Sequence, residues 1–467
     1  MTATEQHLEA VRRLQASYDA IAPGSPVRLA KRTSNLFRPR EAIAAPGLDV
    51  SGLDGVVHVD PVARTADVQG MCTYETLVDV TLQYGLMPLV VPQLRTITLG
   101  GAVTGLGIES TSFRSGLPHE SVLEMDVFTG AGEVVTARRP TEGADDEHAD
   151  LFATFPNSYG SLGYATRLRI ELEPIAPVVA LRHVRFDDLG LLAKTVAEIT
   201  DTRTWEGEQV DGLDGVVFAP GEAYLTLARW AEADPGIRTS DYTGQQIYFQ
   251  SVRQRETDVL SGYDYLWRWD TDWFWCSGAF GLHDPRVRRL WPRRWRRSDV
   301  YYRLVGLDAR FGIMRRLDAR AGRPERERVV QDIEVPVERL PEFLAWFDER
   351  VGMRPVWLCP LRLREPDGPG SARTWPSYPL RAGTTYVNVG FWGTVHVGPD
   401  ASRGPTNRAV EEKVHQLGGH KSLYSEAFYD RETFDQLYDG HNLARVKQRY
   451  DPGSRLSTLY DKAVTSR

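Results

Sequence analysis

Four glycines, Gly100, Gly101, Gly105 and Gly107, stand among small and hydroxyl-bearing residues in Ile97-Thr-Leu-Gly-Gly-Ala-Val-Thr-Gly-Leu-Gly-Ile-Glu-Ser110. Glycine lets a backbone approach a ligand closely and accepts positive φ. Successive exposed N–H groups along such a backbone can cradle a diphosphate. The chemistry suggested is dinucleotide binding. The spacing is not the Rossmann fingerprint, because Gly105-Leu-Gly107-Ile-Glu-Ser110 lacks the third glycine and the glycines are not expected to open a helix. Taken alone, such a segment also has the composition of an ordinary tight turn.

A second concentration of chemistry lies in residues 263–303. Tyr263, Tyr265, Trp267, Trp269, Trp273, Phe274 and Trp275 come first; Arg286, Arg288, Arg289, Arg293, Arg294, Arg296 and Arg297 then surround Trp291 and Trp295. An indole has an apolar body and a polar N–H, and guanidinium attracts anionic phosphate, so the combination suits a membrane headgroup layer. Three other readings fit the same residues. The aromatics can be core or line a substrate tunnel, the arginines can pair with acids in an oligomer interface, and single-stranded nucleic acid can stack on such a surface. The preferred reading is peripheral contact with an anionic membrane through Trp267–Arg297, without nucleic acid, because the chain as a whole carries a formal charge of −7.

The elements that must position these residues follow from periodicity. Leu8, Val11, Leu14 and Tyr18 fall at helical spacing. Thr73 is placed to cap a helix buried through Tyr74, Leu77, Val78 and Leu82 and ended by Gly85. Short strands are expected at Val27–Ala30, Val56–Asp60 and Thr65–Gln69, and a hairpin at Val122–Thr129 and Glu133–Ala137 around Gly130-Ala-Gly132. The acidic run Glu142–Asp150 reads as a solvated loop. Glu171-Leu-Glu-Pro-Ile-Ala-Pro177 looks like a boundary; beyond it come helices at Asp187–Thr200 and Leu340–Val351 and strands at Val330–Val335, Pro355–Leu363 and Thr385–Phe391. Pro366-Asp-Gly-Pro-Gly-Ser371 reads as a flexible loop. With 467 residues, 42% of them hydrophobic and 25% charged, the chain is long enough for two or three domains of an α+β protein. Three widely spaced cysteines, Cys72, Cys276 and Cys359, offer no disulfide framework and no metal-ligand spacing, so a reducing cytoplasm is the expected setting. The first ten residues lack the basic and apolar regions of a secretory signal, and no run of 18 apolar residues is present.

Three segments in order resemble the FAD-binding half of the vanillyl-alcohol-oxidase-type (PCMH-type) flavoproteins: Arg28-Leu-Ala-Lys-Arg-Thr-Ser-Asn-Leu-Phe-Arg38, the stretch from Pro88 to Val127, and Asp150-Leu-Phe-Ala-Thr-Phe-Pro-Asn-Ser-Tyr-Gly-Ser-Leu-Gly-Tyr-Ala-Thr166. The resemblance implies an FAD domain over residues 1–175 in two subdomains, a substrate cap over 176–440, and a tail over 441–467 returning to the FAD domain. It implies FAD contacts from Arg32, Thr33, Ser34, Asn35 and Leu36, from Pro92, Thr98, Leu99, Gly100, Gly101, Gly105, Gly107, Ile108 and Ser110, and from Gly160, Gly163 and Tyr164. The family's tethering histidine has no counterpart in Thr33-Ser-Asn-Leu-Phe37, so FAD is expected to be non-covalent. His119 is read as a hydrogen-bonded histidine against the cofactor or core.

Val329-Val-Gln-Asp-Ile-Glu-Val-Pro336, Pro355-Val-Trp-Leu-Cys-Pro360, Tyr386-Val-Asn-Val-Gly390 and Leu423-Tyr-Ser-Glu-Ala-Phe-Tyr429 resemble the Δ24-sterol reductase branch of that superfamily. The branch includes bacterial reductases of 10-methylene fatty-acyl chains, which a partner SAM-dependent methyltransferase makes on phospholipid. The shorter front end, without the transmembrane anchor of the animal sterol enzymes, favours that lipid-acyl reading over a sterol one. A same-fold oxidase of a polyol or aldonolactone and a flavin-free membrane scaffold are the alternatives. NADPH is implied as transient reductant by the resemblance alone. Both alkenes are unconjugated, so protonation must precede hydride transfer, and the cap must supply an acid. Candidates are Asp332 and Glu334, which strand alternation puts on one face, with His420, Lys421 and Tyr424; His420 and Lys421 follow two glycines and are expected on a mobile turn.

Overall fold

The computed structural model describes residues 1–31, 47–140, 146–234, 236–311, 326–398 and 402–465. Two antiparallel sheets organise it. The first runs in the order Val56–Asp60, Thr65–Gln69, Tyr164–Pro174, Val122–Phe128, Val134–Arg138, with Leu86–Pro88 also paired to Tyr164–Pro174. The second has eight strands, in the order Thr257–Ser261, Val178–Phe186, Glu222–Ala231, Gly212–Ala219, Val356–Leu361, Tyr386–His396, Arg326–Pro336, His420–Lys421.

Alternation in the central strands of the second sheet decides what its faces carry. Ile333, Val335, Val356, Leu358, Val387, Val389 and Phe391 pack with Leu192 and Val196 of helix Leu189–Thr202, Phe343 and Phe347 of helix Leu340–Arg350, and Val410 and Val414 of helix Pro405–Gln416. The intervening positions, among them Trp357, Cys359, Leu361 and Tyr386, join the other core, which also holds Trp267, Trp269, Trp273 and Phe274 and the interior of the first sheet. The polar residues Asp332, Glu334 and Asn388 alternate in step with these and face the same way, with Gly390 opposite Asp332.

Local signals explain most elements. Thr73 Oγ1 accepts from Thr76 N at 3.2 Å and starts helix Tyr74–Thr81, and a 3-10 turn at Leu82–Tyr84 ends on Gly85 in the left-handed region. Asp188 accepts from Gly190 N and Leu191 N, so the helix begins at Leu189. The hairpin closes with Thr129 N donating to Glu133 O. Helix Ala3–Asp19 buries Leu14 as expected and packs Val11 and Tyr18 partly buried, but it turns His7 and Ala10 inward and leaves Leu8 exposed.

Three expectations are corrected. Gly100 and Gly101 do open a helix, Leu99–Gly105, capped by Thr98 Oγ1 accepting from Gly101 N at 3.2 Å. His420 and Lys421 are not on a mobile turn but form a strand paired with Glu334 and Ile333, because Gly419 packs where a Cβ would stand 2.2 Å from Glu334 O. Trp267, Trp269, Trp273 and Phe274 are buried, so the first half of the Trp267–Arg297 segment cannot touch a membrane. Arg32, Thr33, Ser34, Asn35 and Leu36, and residues 142–145 of the acidic run, lie outside the described residues.

The C-terminal residues run along the first sheet. Tyr450 O accepts from Ala131 N, the Tyr450 hydroxyl donates to Asp150 at 2.9 Å, and Arg455 O accepts from Val27 N. Among the described residues no helix is long and apolar enough to cross a membrane.

Candidate active site

Close packing fixes the glycine-rich segment. A Cβ on Gly100 would stand 2.6 Å from Gly70 O, and one on Gly107 2.5 Å from Pro92 Cγ, so both need glycine. Gly101 is exposed, and Leu106 takes φ 57° to turn the chain out of the helix. A second turn lies alongside, with positive φ at Asn157, Tyr159, Gly160 and Gly163. Non-glycine residues in that region store strain that surrounding structure must hold. Here Tyr159 N donates to Thr104 O at 3.0 Å, the Tyr159 hydroxyl donates to Gly105 O at 2.8 Å, and Asn157 Nδ2 donates to Ser377 O at 2.7 Å. From the C-terminal end, Lys462 Nζ donates to Tyr159 O at 3.0 Å and Gly160 O at 2.9 Å.

Four buried polar atoms on these walls find no hydrogen-bond partner among the described residues: Asn157 Oδ1, Ser158 Oγ and both ring nitrogens of His119. Buried orphans of this kind are costly and rare. His119 packs edge-on against Trp375 at 4.4 Å, and burial pushes its pKa down to about 3, so the ring is neutral. A polar ligand satisfies such atoms, and the residues present fit an FAD. Leu99 and Ser110 have other tasks. Leu99 is in the core, the buried Ser110 hydroxyl pairs with Tyr265 Oη at 2.6 Å, and Ser110 O accepts from Leu213 N at 2.8 Å, tying the segment to the second sheet. Pro92 packs where Gly107 lacks a side chain, Ile108 is partly buried against the core, and Tyr164 follows Gly163 into its strand.

Asp332, on the second sheet, is linked to this turn through Tyr424, which lies within electrostatic reach of Tyr159. Antiparallel register sets Asp332 opposite Gly390 and sets Glu334 opposite Asn388. A Cβ on Gly390 would stand 2.4 Å from Asp332 Oδ1, so glycine there makes room for the carboxyl. Asn388 Nδ2 donates to Asp332 Oδ1 at 3.3 Å. The Tyr424 hydroxyl accepts from Trp392 Nε1 at 2.8 Å and hydrogen-bonds Asp332. Asp332, Tyr424, Trp392 and Tyr159 keep partial exposure while their neighbours Ile333, Leu423, Phe391 and Ser158 are buried. Tyr159 lies within electrostatic reach of Tyr424 and Tyr378. These partly exposed side chains link the turn that carries Tyr159 to the strand that carries Asp332.

Desolvation pushes the Asp332 pKa up to about 7, against the smaller favourable effects of Asn388, Tyr424 and Lys421. Dense surrounding atoms do this even though the side chain keeps a little accessible surface. Glu334, fully buried, is raised well above the ordinary range by desolvation; Tyr378 donates to it, and Asp332 adds like-charge repulsion. The His420 ring stands 5.5 Å from that of Tyr378, and burial lowers its pKa to about 4, so it is neutral. Lys421 is buried and paired with Glu411 at 3.2 Å, which gives it a structural role.

An aromatic wall continues from Trp392. Phe274 lies 4.5 Å from Trp392 and 5.3 Å from Trp357; Trp275 is 5.2 Å from Trp392, and Trp269 is 5.0 Å from Phe274. Trp273 and Phe274 both have positive φ, 45° and 58°, and this consecutive pair turns Phe274 toward Trp392. Behind the wall, buried Arg268 donates to Asp214 Oδ2 at 2.9 Å and Glu109 Oε1 at 3.1 Å, and Trp269 Nε1 donates to the same Asp214 oxygen at 2.8 Å.

The structure thus brings Asp332, Glu334, Tyr424 and His420 to one region and adds Tyr159, Tyr378, Asn388, Gly390 and Trp392, which sequence reasoning gave no role. Asn388 and Gly390 carry a legible signal, since they alternate on a strand with the parity of its polar positions. Tyr159 and Tyr378 carry none.

Residues 9–138 match the FAD binding domain family. Over 457 residues the chain is 22% identical to the Delta(24)-sterol reductase of Arabidopsis thaliana, covering 90% of this chain and 77% of that one. It is 24% identical over 428 residues to the Delta(24)-sterol reductase of Homo sapiens, covering 89% and 75%. It is 29% identical over 181 residues to cytokinin dehydrogenase 7 of Oryza sativa subsp. japonica, covering 38% and 32%. The matched domain contains the glycine-rich helix and its cap. The chain carries an FAD-binding domain, and these similarities support an FAD-dependent oxidoreductase with a mixed α and β fold.

Proposed function

We propose that this protein reduces an isolated carbon–carbon double bond in a lipid, with Asp332 as proton donor. The reading rests on a carboxyl that burial shifts up to about 7, bonded through Tyr424 to Trp392 of an aromatic cluster and near Tyr159, whose hydroxyl donates to Gly105 O of the glycine-rich segment. An unconjugated alkene has no carbonyl to take up hydride charge, so the proton must arrive first. It adds to the less substituted carbon and leaves positive charge on the more substituted one. The neutral form of this acid can give that proton, and the partly exposed ring of Trp392 can stabilise the resulting cation. FAD, when bound and reduced by NADPH, supplies the hydride that completes the reduction. Tyr424 orients Asp332 through its hydroxyl, fixed in turn by Trp392 Nε1. Gly100, Gly101, Gly105, Gly107, Asn157, Ser158, Gly160, Gly163 and His119 are the described residues that would hold the FAD. Glu334, kept neutral behind Asp332, avoids a second buried charge at the site.

The substrate proposed is the methylene group of a 10-methylene-stearoyl phospholipid, made by a SAM-dependent methyltransferase and reduced to 10-methyl-stearoyl at the cytoplasmic membrane surface. The apolar wall supports an acyl chain. The alternative, a Δ24 double bond in a sterol side chain, is favoured by the names of the Arabidopsis and human relatives. The test is anaerobic. The flavoprotein is reduced with NADPH and mixed with each lipid, while flavin reoxidation and product mass are followed. The proposal expects reoxidation by methylene phospholipid with gain of one hydrogen pair. Reoxidation by the sterol alone selects the alternative. Failure of both alkenes, with a polyol reducing the oxidised flavin instead, sinks the reading.

A further inference from the structure

The second half of the Trp- and Arg-rich segment is built unlike the first. Helix Pro285–Leu290 and the turn Arg293–Trp295 lie at the surface. Two buried arginines pin them down. Arg288 donates to Gly244 O at 3.0 Å, Gln246 O at 2.9 Å and Tyr242 O at 3.1 Å, and pairs with Asp272 at 3.2 Å. Arg296 donates to Thr243 O, Gly244 O, Arg288 O and Trp291 O. Trp291 Nε1 donates to Trp295 O at 3.1 Å and closes the turn.

Between these anchors the chain turns apolar side chains outward. Leu290 is 85% exposed, Trp295 46% and Val287 38%. Residues three apart share a helix face, so Val287 and Leu290 form one outward stripe and Arg286 and Arg289 another beside it. Arg286, Arg289 and Arg294 are exposed and have no ion-pair partner among the described residues, and Arg294 lies 5.9 Å from the Trp295 ring. A leucine and an indole held out by a rigid frame, ringed by uncompensated guanidinium, match the two layers of a bilayer surface: headgroup phosphate for the arginines, the acyl boundary for Leu290 and Trp295.

We propose that Pro285–Trp295 is a docking surface for anionic phospholipid bilayers. The surface also has an internal connection. Helix Pro285–Leu290 follows His283, whose ring is 5.2 Å from Phe249; Phe249 is 6.2 Å from Trp275, and Trp275 packs on Trp392 beside Tyr424. Aromatic rings therefore run from behind the exposed helix to the candidate acid. The docking surface itself rests on exposure and charge and does not depend on the alkene chemistry.

The test is vesicle co-sedimentation of the full flavin-loaded chain, with phosphatidylcholine alone and with phosphatidylcholine plus phosphatidylglycerol, at low and high salt. Binding to the anionic vesicles at low salt and its loss at high salt are expected. Leu290→Asp and Trp295→Ala are expected to weaken binding about tenfold together, and Arg286→Gln or Arg289→Gln about fivefold each. Leu191→Asp, at an exposed leucine on another helix, should change nothing. Because these side chains are exposed, the variants keep the fold, and an unchanged flavin spectrum checks that. Absence of binding to anionic vesicles at low salt overturns the proposal, as does binding that ignores Leu290→Asp. Two other results also overturn it: concentration-dependent dimerisation abolished by Leu290→Asp, or displacement from vesicles by single-stranded nucleic acid. A protein that binds vesicles but reduces no alkene leaves this surface standing and removes only the functional reading above.

Discussion

Replacing Asp332 by asparagine separates its chemistry from its packing. Asparagine keeps the shape and can still hydrogen-bond Asn388 and Tyr424, but it cannot ionise. In the folded protein the carboxyl titrates at about 7 against an ordinary value of 3.8. A rise of about 3 at about 1.4 kcal/mol each amounts to about 4 kcal/mol. The sign follows from linkage: the folded state binds the proton more tightly, so the contribution is fully present below pH 3.8 and is lost as pH rises through 7. Asp332→Asn should therefore match the wild type near pH 4 and exceed it by up to about 4 kcal/mol above pH 8, an upper bound because the carboxyl keeps some solvent access. Thermal melts of both proteins across that range measure the difference. In stopped-flow work, NADPH reduction of the variant's flavin should be normal and alkene reduction at least about 100-fold slower. Wild-type alkene reduction should itself fall as pH rises through about 7. A melting difference that is flat with pH, or a variant that turns over normally, would refute the reasoning.

Three further outcomes are expected. Gly390→Ala puts a methyl group against Asp332 Oδ1 and the Trp392 ring; it should cost about 1–3 kcal/mol and slow alkene reduction while the flavin-to-protein ratio stays normal. Arg268→Ala leaves Glu109 and Asp214 as buried, unpaired acids and should destabilise by about 3–5 kcal/mol in urea; Arg268→Met with Glu109→Gln and Asp214→Asn should recover much of that. Acid precipitation should leave all FAD in the supernatant, since Thr33-Ser-Asn-Leu-Phe37 offers no histidine or cysteine to bond it; a yellow pellet contradicts this.

The sequence was most legible where one local rule acts alone. Thr73 and Asp188 are side-chain caps, and their helices begin beside them. Asp332 and Glu334 share a face because a strand alternates, and they do so whatever surrounds the sheet. Legibility failed where long-range packing overrules composition. Arg288 and Arg289 are neighbours of one residue type, yet one is buried on backbone carbonyls and the other is in solvent. Two glycines before His420 suggested a turn, whereas the edge of the second sheet takes the next two residues as a strand. Nothing in Ser158-Tyr159-Gly160 announces that the Tyr159 hydroxyl reaches back to Gly105 O, since that bond depends on two turns meeting 54 residues apart.

The consecutive left-handed residues Trp273 and Phe274 bear on the selectivity of the reaction proposed above. Their backbone is clamped from both sides: Trp269 O accepts from Phe274 N, Asp270 O accepts from Trp273 N, and Asp270 is itself bonded to Arg95 N and Ser298. A ring presented from so constrained a scaffold cannot swing aside to admit a bulkier guest. Under the function proposed above, the wall would act as a fixed gauge, sorting hydrocarbons of different girth by whether they fit a shape that exists before they arrive.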